Sequence, residues 1–133
     1  MLHWPFRSRR RIGDTQAAIA LFAAAWSDVD REQLGLAYLD AELRLLRLSV
    51  VFGSRSDGVE LPLRALVRDA LTLDAHGLLL AHTHVHAAAE PSGADRVATR
   101  RLVDVAHPLG IRVLDHLVFA GEDVASFRAL GLL

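Results

Sequence analysis

A short run of consecutive apolar residues near the middle of the chain restricts the fold more than any other feature. Residues 78–81 are three leucines and an alanine, and the run ends at His82. Because side chains alternate between the two faces of a strand, an all-apolar strand buries both faces. Such strands lie at the centre of sheets that helices cover on both sides. The run therefore predicts an α/β fold with a mixed central sheet flanked by helices.

Segments of helical and extended pattern alternate along the rest of the chain. Apolar residues at helical spacing predict three helices, which start at Asp14, Pro62 and Ser92. Residues with strand propensity, bounded by turn residues, predict extended segments over 34–38, 43–52 and 111–119. The first two segments are separated by a turn at residues 40–42, so we expect them to pair as a hairpin.

The length of 133 residues predicts one domain with its own core. We expect a single three-layer α-β-α domain over residues 14–133, preceded by a flexible basic N-terminal extension over residues 1–13. The arginines at 9–11 precede an apolar run at 17–26, as in a twin-arginine export signal. Asp14 interrupts the join, so an amphipathic helix is the preferred interpretation. The run is also too short to span a bilayer, and we expect no membrane partner.

Charge and cysteine content narrow the function classes. The formal net charge is −1, which provides no electrostatic reason to expect a nucleic-acid partner. The chain has no cysteine, so any metal site must be built from His, Asp or Glu. The lack of cysteine also fits a reducing compartment, and we expect a cytoplasmic location.

Two histidines and an aspartate form the candidate site. His82 and His84 are one residue apart, so both side chains point to the same face of an extended segment. Ser92 and Asp95 lie one turn apart at the start of the next predicted helix, and a short loop can bring Asp95 back over the histidines. Two imidazoles and one carboxylate leave the fourth position of a tetrahedral Zn²⁺ open to water, which is typical of catalytic sites.

Other interpretations of these residues stay open at this point. Ser92 and Asp95 also have the spacing of a helix capping box, which is compatible with a metal site. His86 extends the alternation and offers a third imidazole in place of Asp95, although a loop is expected there. For Asp115 and His116 we favour structural pairing, with a contact behind the metal ligands as the alternative.

The combined spacing His82-x-His84-x7-Ser92-x2-Asp95 resembles the signature of the JAB/MPN (JAMM) metalloprotease family. The neighbouring segments are similar to its bacterial RadC-type branch at residues 90–92, 98–102 and 110–116. The resemblance covers about residues 14–133 and includes the segment at 30–40, which is similar to the family's first strand. We expect no counterpart of the helix-hairpin-helix region that precedes this domain in longer RadC proteins.

The resemblance implies a cytidine-deaminase-like JAB/MPN fold and a zinc-dependent hydrolase. Zn²⁺ would be held by His82, His84 and Asp95, and would acidify a water at the fourth position. Glu32 would act as general base and then general acid. Ser92 would donate a hydrogen bond to the oxyanion. The expected reaction is hydrolysis of a peptide or isopeptide amide bond in a protein or peptide substrate.

One departure from the family pattern affects substrate recognition more than metal binding. The RadC branch usually has His-Asn-His-Pro-Ser-Gly here, whereas this chain continues as Val85-His86-Ala87 after the second histidine.

The alternative function is a non-catalytic RadC-like JAB scaffold or a DNA-repair-associated binding domain. Cupins and amidohydrolase barrels also use His-x-His, but the helical stripes argue against the first and the chain length against the second.

Overall fold

The structure, a computed structural model, describes residues 2–3, 10–27, 30–53 and 60–133. Its helices are α1 (Thr15–Ala23), α2 (Leu63–Thr72) and α3 (Gly93–Ala106), and a 3₁₀ turn, His107–Leu109, follows the last of them. Its strands are β1 (Leu2–His3), β2 (Gln33–Leu39), β3 (Leu45–Phe52), β4 (Gly77–Thr83), β5 (Arg112–Ala120) and β6 (Asp123–Ser126).

The strands form one mixed sheet in the order β1-β3-β2-β4-β5-β6. β4 and β5 pair in parallel, and the other neighbours pair antiparallel. A parallel pair requires a crossover connection, which α3 provides between β4 and β5. β4 lies inside the sheet and is buried over almost its whole length, as the apolar run predicts. The predicted α/β class with a mixed central sheet is confirmed.

Helices cover both faces of the sheet. On one face, α1 packs Leu21 and Phe22 against a cluster that includes Leu79 of β4. On the other face, α2 and α3 contribute Leu66 and Leu102 to a second cluster that includes Leu80. Adjacent residues of β4 therefore enter opposite clusters, which follows from the alternation of side chains along a strand. The predicted three-layer α-β-α arrangement is confirmed.

A side-chain cap marks the start of α1, and aromatic packing follows its end. Asp14 caps α1, because its Oδ1 accepts a hydrogen bond from the backbone N–H of Ala17 at 2.7 Å. The helix ends at Ala23, four residues before its predicted end at residue 27. The early end lets Trp26 pack against Phe22 and Phe119, at ring-centroid distances of 6.0 and 5.5 Å.

The predicted hairpin and its turn are also present. The Oδ1 atom of Asp40 accepts hydrogen bonds from the backbone N–H groups of Glu42 and Arg44, each at 2.9 Å. These bonds close the turn between β2 and β3, which pair antiparallel. An aspartate that bonds the backbone two and four residues onward is typical of turns.

Among the described residues, none of the helices has both the length and the apolar character that a membrane span requires.

Both edges of the sheet carry short strands that the sequence pattern does not indicate. β1 pairs with β3, and β6 pairs with β5 after a turn at Gly121, whose φ is 58°. Residues 1 and 4–9 of the predicted N-terminal extension lie outside the described residues. Ile12 is buried, and its N–H donates to the Leu43 carbonyl at 2.8 Å. Core packing therefore begins before residue 14.

Gly35 in β2 leads to a first prediction. A Cβ at this position would lie 2.6 Å from the Phe22 ring and 3.1 Å from Trp26. We expect Gly35→Ala to lower the free energy of unfolding by about 1–3 kcal/mol, because the aromatic packing must shift. Gly13→Ala is the control, since the nearest atom to its Cβ would be 3.8 Å away. Urea unfolding curves that coincide for Gly35→Ala and the wild type would contradict this packing.

Candidate metal centre

The candidate site lies at the C-terminal end of β4, on the face that α2 and α3 cover. Leu78 and Leu80 belong to the cluster on that face, and His82 is the next residue in the same alternation. The backbone N–H of His84 donates to the Phe119 carbonyl at 2.7 Å, which continues the β4–β5 pairing past the end of the strand. His84 therefore stays extended, and both histidines face the start of α3.

The structure brings His82, His84 and Asp95 together. The two Nε2 atoms are 2.9 Å apart, and they lie 3.2 and 3.3 Å from Oδ2 of Asp95. Four donors bound to Zn²⁺ at about 2.0–2.1 Å in a tetrahedron are separated from one another by about 3.3 Å. The three atoms are therefore spaced as the ligands of one small cation. His86 is exposed and lies outside this cluster of described residues, so it offers no third imidazole.

The hydrogen bond that His84 makes through Nδ1 leaves its Nε2 atom available to bind a cation. Its Nδ1 lies 2.8 Å from the Ala88 carbonyl oxygen, which can only accept a hydrogen bond. Nδ1 therefore carries the ring proton of the neutral imidazole, and the Nε2 lone pair is directed into the cluster. Metal-bound histidines typically donate their other ring N–H to a carbonyl or carboxylate in this way.

Asp95 serves the helix and the cluster at the same time. Its Oδ2 accepts the Ser92 N–H at 2.9 Å, and the Ser92 Oγ accepts the Asp95 N–H at 3.0 Å, which completes a capping box. Burial alone would raise the pKa of the Asp95 carboxyl. Hydrogen bonds from His82 and Ser92, with the charge of His82, outweigh it and hold that pKa well below its usual value. Asp95 is therefore an ionised carboxylate, the form that binds metal.

Ser92 contacts the cluster through Asp95, and Glu32 lies next to the strand that pairs with β4. Ser92 is the exposed N-cap of α3, so the capping interpretation is confirmed and its catalytic role stays a prediction. Glu32 is half-buried and immediately precedes β2, in which Leu34 pairs with His82. The β2–β4 register ends at Leu34 and His82, and its continuation by two residues would bring Glu32 opposite His84. Alternation would then put the Glu32 side chain on the face of Leu34 and His82. The catalytic role of Glu32 also stays a prediction.

A comparison with known protein families matches residues 12–132 to the RadC-like JAB domain. The match spans almost the whole chain, including β4, α3 and the loop between them. The chain belongs to the RadC-like JAB domain family. The resemblance of its motif to the RadC-type branch of JAB/MPN proteins is thereby confirmed, and the His82, His84 and Asp95 cluster of this JAB domain is a geometrically possible metal site.

Behind the cluster, this RadC-like JAB domain has a buried polar chain. Nε2 of His116 in β5 lies 2.7 Å from Nδ1 of His82, and Nδ1 of His116 lies 2.7 Å from the Thr99 Oγ1. Burial, together with the neighbouring charge of His82, lowers the pKa of His116 to about 3, so its imidazole is neutral. Asp115 accepts hydrogen bonds from the Ser126 hydroxyl and from the backbone N–H groups of Arg128 and of His116 itself. The carboxylate of Asp115 therefore has a structural role, whereas the His116 ring contacts His82.

Thr99 is the buried residue behind the cluster that the helical pattern missed. The sequence places Ala98, Leu102, Val105, Ala106 and Leu109 on one apolar face. In the structure Thr99 is 1% exposed, whereas Val105 and Leu109 are 39% and 45% exposed. The buried face of α3 is therefore rotated toward Thr99. Its spacing of four residues from Asp95 is the signal that would have found it.

The capping box generates a second prediction. We expect Ser92→Ala to lower the free energy of unfolding of the metal-free protein by about 1 kcal/mol, because the Asp95 N–H loses its acceptor. Ser92→Thr retains a hydroxyl and is expected to stay close to the wild type. Chemical denaturation measures both. Equal stability of Ser92→Ala and the wild type would contradict the importance of this cap.

The cluster generates a third prediction, about affinity for Zn²⁺. We expect His84→Ala to weaken Zn²⁺ binding by more than about 100-fold, because losing a ligand should cost more than losing an outer hydrogen-bond partner. His86→Ala is the matched control and should leave the affinity unchanged, since His86 lies outside the cluster. Competition with a chromophoric chelator measures both. Equal losses in the two variants would contradict the proposed ligand set.

Proposed function

We propose that this RadC-like JAB domain is a zinc-dependent hydrolase that cleaves a peptide or isopeptide amide bond in a protein or peptide substrate. One observation carries the proposal: two imidazole nitrogens and one carboxylate oxygen converge within 3.3 Å of one another at the end of a central strand. Family membership supports it, because the motif that forms the cluster is the one that resembles JAMM metalloproteases.

The donor set suits Zn²⁺. Imidazole nitrogens favour zinc over hard cations such as Mg²⁺ and Ca²⁺, which prefer oxygen ligands. Three protein ligands leave one position of a tetrahedron for water or substrate, as in catalytic zinc sites. When bound, the cation would supply a Lewis acid that lowers the pKa of a water to about 7.

Glu32 is the proposed proton carrier. A carboxylate beside the cluster can accept a proton from the attacking water and then deliver it to the nitrogen of the leaving amine. The β2–β4 register supports this role, because its continuation by two residues beyond Leu34 and His82 would bring Glu32 opposite His84. The residue is half-buried, which limits the access of bulk water to the transferred proton.

Ser92 is the proposed oxyanion donor. Its Oγ accepts the Asp95 N–H, which orients the side chain and leaves its own O–H hydrogen to donate. A hydroxyl held beside the reacting carbonyl can stabilise the negative charge that develops on the carbonyl oxygen during attack. Ser92 is also exposed, so a substrate can reach it.

The loop after the histidines is the proposed contact for the substrate. His86 and Ala87 are exposed and follow the histidines of the cluster in sequence. This segment also departs from the usual RadC pattern. We therefore expect it to affect which substrate binds more than it affects metal affinity.

A fourth prediction tests the hydrolase directly. We expect Glu32→Gln to retain bound Zn²⁺ while its kcat for amide hydrolysis falls about 10²- to 10⁴-fold, the usual contribution of general acid–base catalysis. The zinc content is measured by elemental analysis, and the rate with a panel of peptides and isopeptide-linked conjugates.

The matched control for this prediction is Glu42→Gln, which changes an exposed glutamate in the β2–β3 turn and should hydrolyse as the wild type does. Hydrolysis by Glu32→Gln at the wild-type rate would remove Glu32 from the mechanism. A zinc-loaded wild type that cleaves no member of the panel would instead favour the scaffold or binding domain.

A further inference from the structure

The buried chain behind His82 has no role in the function proposed above. It consists of His82, His116 and Thr99, which β4, β5 and α3 contribute. We propose that His116 is a positioning residue of the metal centre: its Nε2 accepts a hydrogen bond from Nδ1 of His82 and so presents Nε2 of His82 to the cation. The proposal rests on the metal centre of the proposed function.

The ring chemistry of His82 requires such an acceptor. A neutral imidazole has one protonated and one unprotonated nitrogen, and only the unprotonated one binds a metal. Nε2 of His82 is the atom that faces His84 and Asp95, so Nδ1 must carry the proton when the cation is bound. His82 is 7% exposed, and His116 Nε2, at 2.7 Å, is the partner that the structure provides for Nδ1.

Thr99 provides the acceptor at the end of the chain that metal binding requires. When Nε2 of His116 accepts, its Nδ1 carries the proton and donates to the Thr99 Oγ1 at 2.7 Å. The opposite direction, with the Thr99 O–H donating to His116, would put the proton of His82 on Nε2 and block metal binding. Thr99 lies one helical turn after Asp95, so α3 carries both the carboxylate ligand and the end of this chain.

Packing holds the His116 ring in place. The ring stacks on Phe127 at a centroid distance of 4.5 Å and an interplanar angle of 11°. Phe127 is completely buried, and its N–H donates to the His116 carbonyl at 3.0 Å. The acceptor atom for His82 is therefore held before any cation arrives, as outer partners of metal ligands must be to orient them.

Two matched variants test whether the acceptor at residue 116 matters. His116→Gln keeps an acceptor oxygen at about the position of Nε2, whereas His116→Met has a similar length and no comparable acceptor. We expect His116→Met to bind Zn²⁺ about 10- to 100-fold more weakly than the wild type, and His116→Gln to recover most of the loss. The full chain is titrated with Zn²⁺ against a chromophoric chelator, and the visible spectrum of the Co²⁺ form reports the geometry of the ligands.

A second pair of variants keeps the test valid where His116→Met fails to fold. Thr99→Val removes the hydroxyl and leaves His116 in place, whereas Thr99→Ser keeps the hydroxyl. We expect Thr99→Val to weaken Zn²⁺ binding and to change the Co²⁺ spectrum, and Thr99→Ser to behave as the wild type. Circular dichroism confirms that each variant is folded before its affinity is compared.

The possible outcomes separate this inference from the proposed hydrolase. Equal affinities of the wild type, His116→Met and Thr99→Val would overturn the positioning role and leave the hydrolase standing. Equal losses in His116→Gln and His116→Met would also overturn it, because residue 116 would then act through packing alone. The expected pattern of affinities without any amide hydrolysis would support the positioning role and count against the hydrolase. A wild type that binds no Zn²⁺ would overturn both.

Discussion

A single carboxylate oxygen, Oδ2 of Asp95, joins the crossover helix to the end of the central strand. It accepts the Ser92 N–H at 2.9 Å and lies 3.2 and 3.3 Å from the two histidine Nε2 atoms. The cap sets where α3 begins, and the start of α3 sets the direction of the carboxylate. The candidate metal centre and the α3 crossover between β4 and β5 therefore depend on the same contact.

The surroundings of that contact show how the protein distributes buried polar groups. His116 and Thr99 are almost fully buried, and their polar side-chain atoms have partners. In the described part of the chain, the Tyr38 hydroxyl and the Trp26 indole N–H are buried without a hydrogen-bond partner, and burial raises the pKa of Tyr38. An unpartnered buried polar group costs stability. The polar groups around the cluster avoid that cost, which is consistent with a preorganised site.

Local patterns predicted the elements that position the site, because each depends on residues close in sequence. Asp14 caps α1, the apolar run forms β4, and the spacing of Ser92 and Asp95 produces a capping box. The predicted end of α1 was wrong by four residues, because the actual end depends on the packing of Trp26 against Phe119. Thr99 was missed because the helical pattern alone left the rotation of α3 uncertain, and contact with the sheet determines that rotation.

The sequence by itself determined which residues can bind a metal, because alternation along a strand and the turn of a helix are local properties. His82, His84 and Asp95 were candidates from their spacing, and the resemblance of the motif to the JAMM signature favoured them over His86. The tertiary structure decided that these side chains meet within 3.3 Å, and that His116 from the neighbouring strand stands behind His82. Residues 82 and 116 are brought together by the parallel pairing of β4 with β5, a long-range contact that local spacing does not contain.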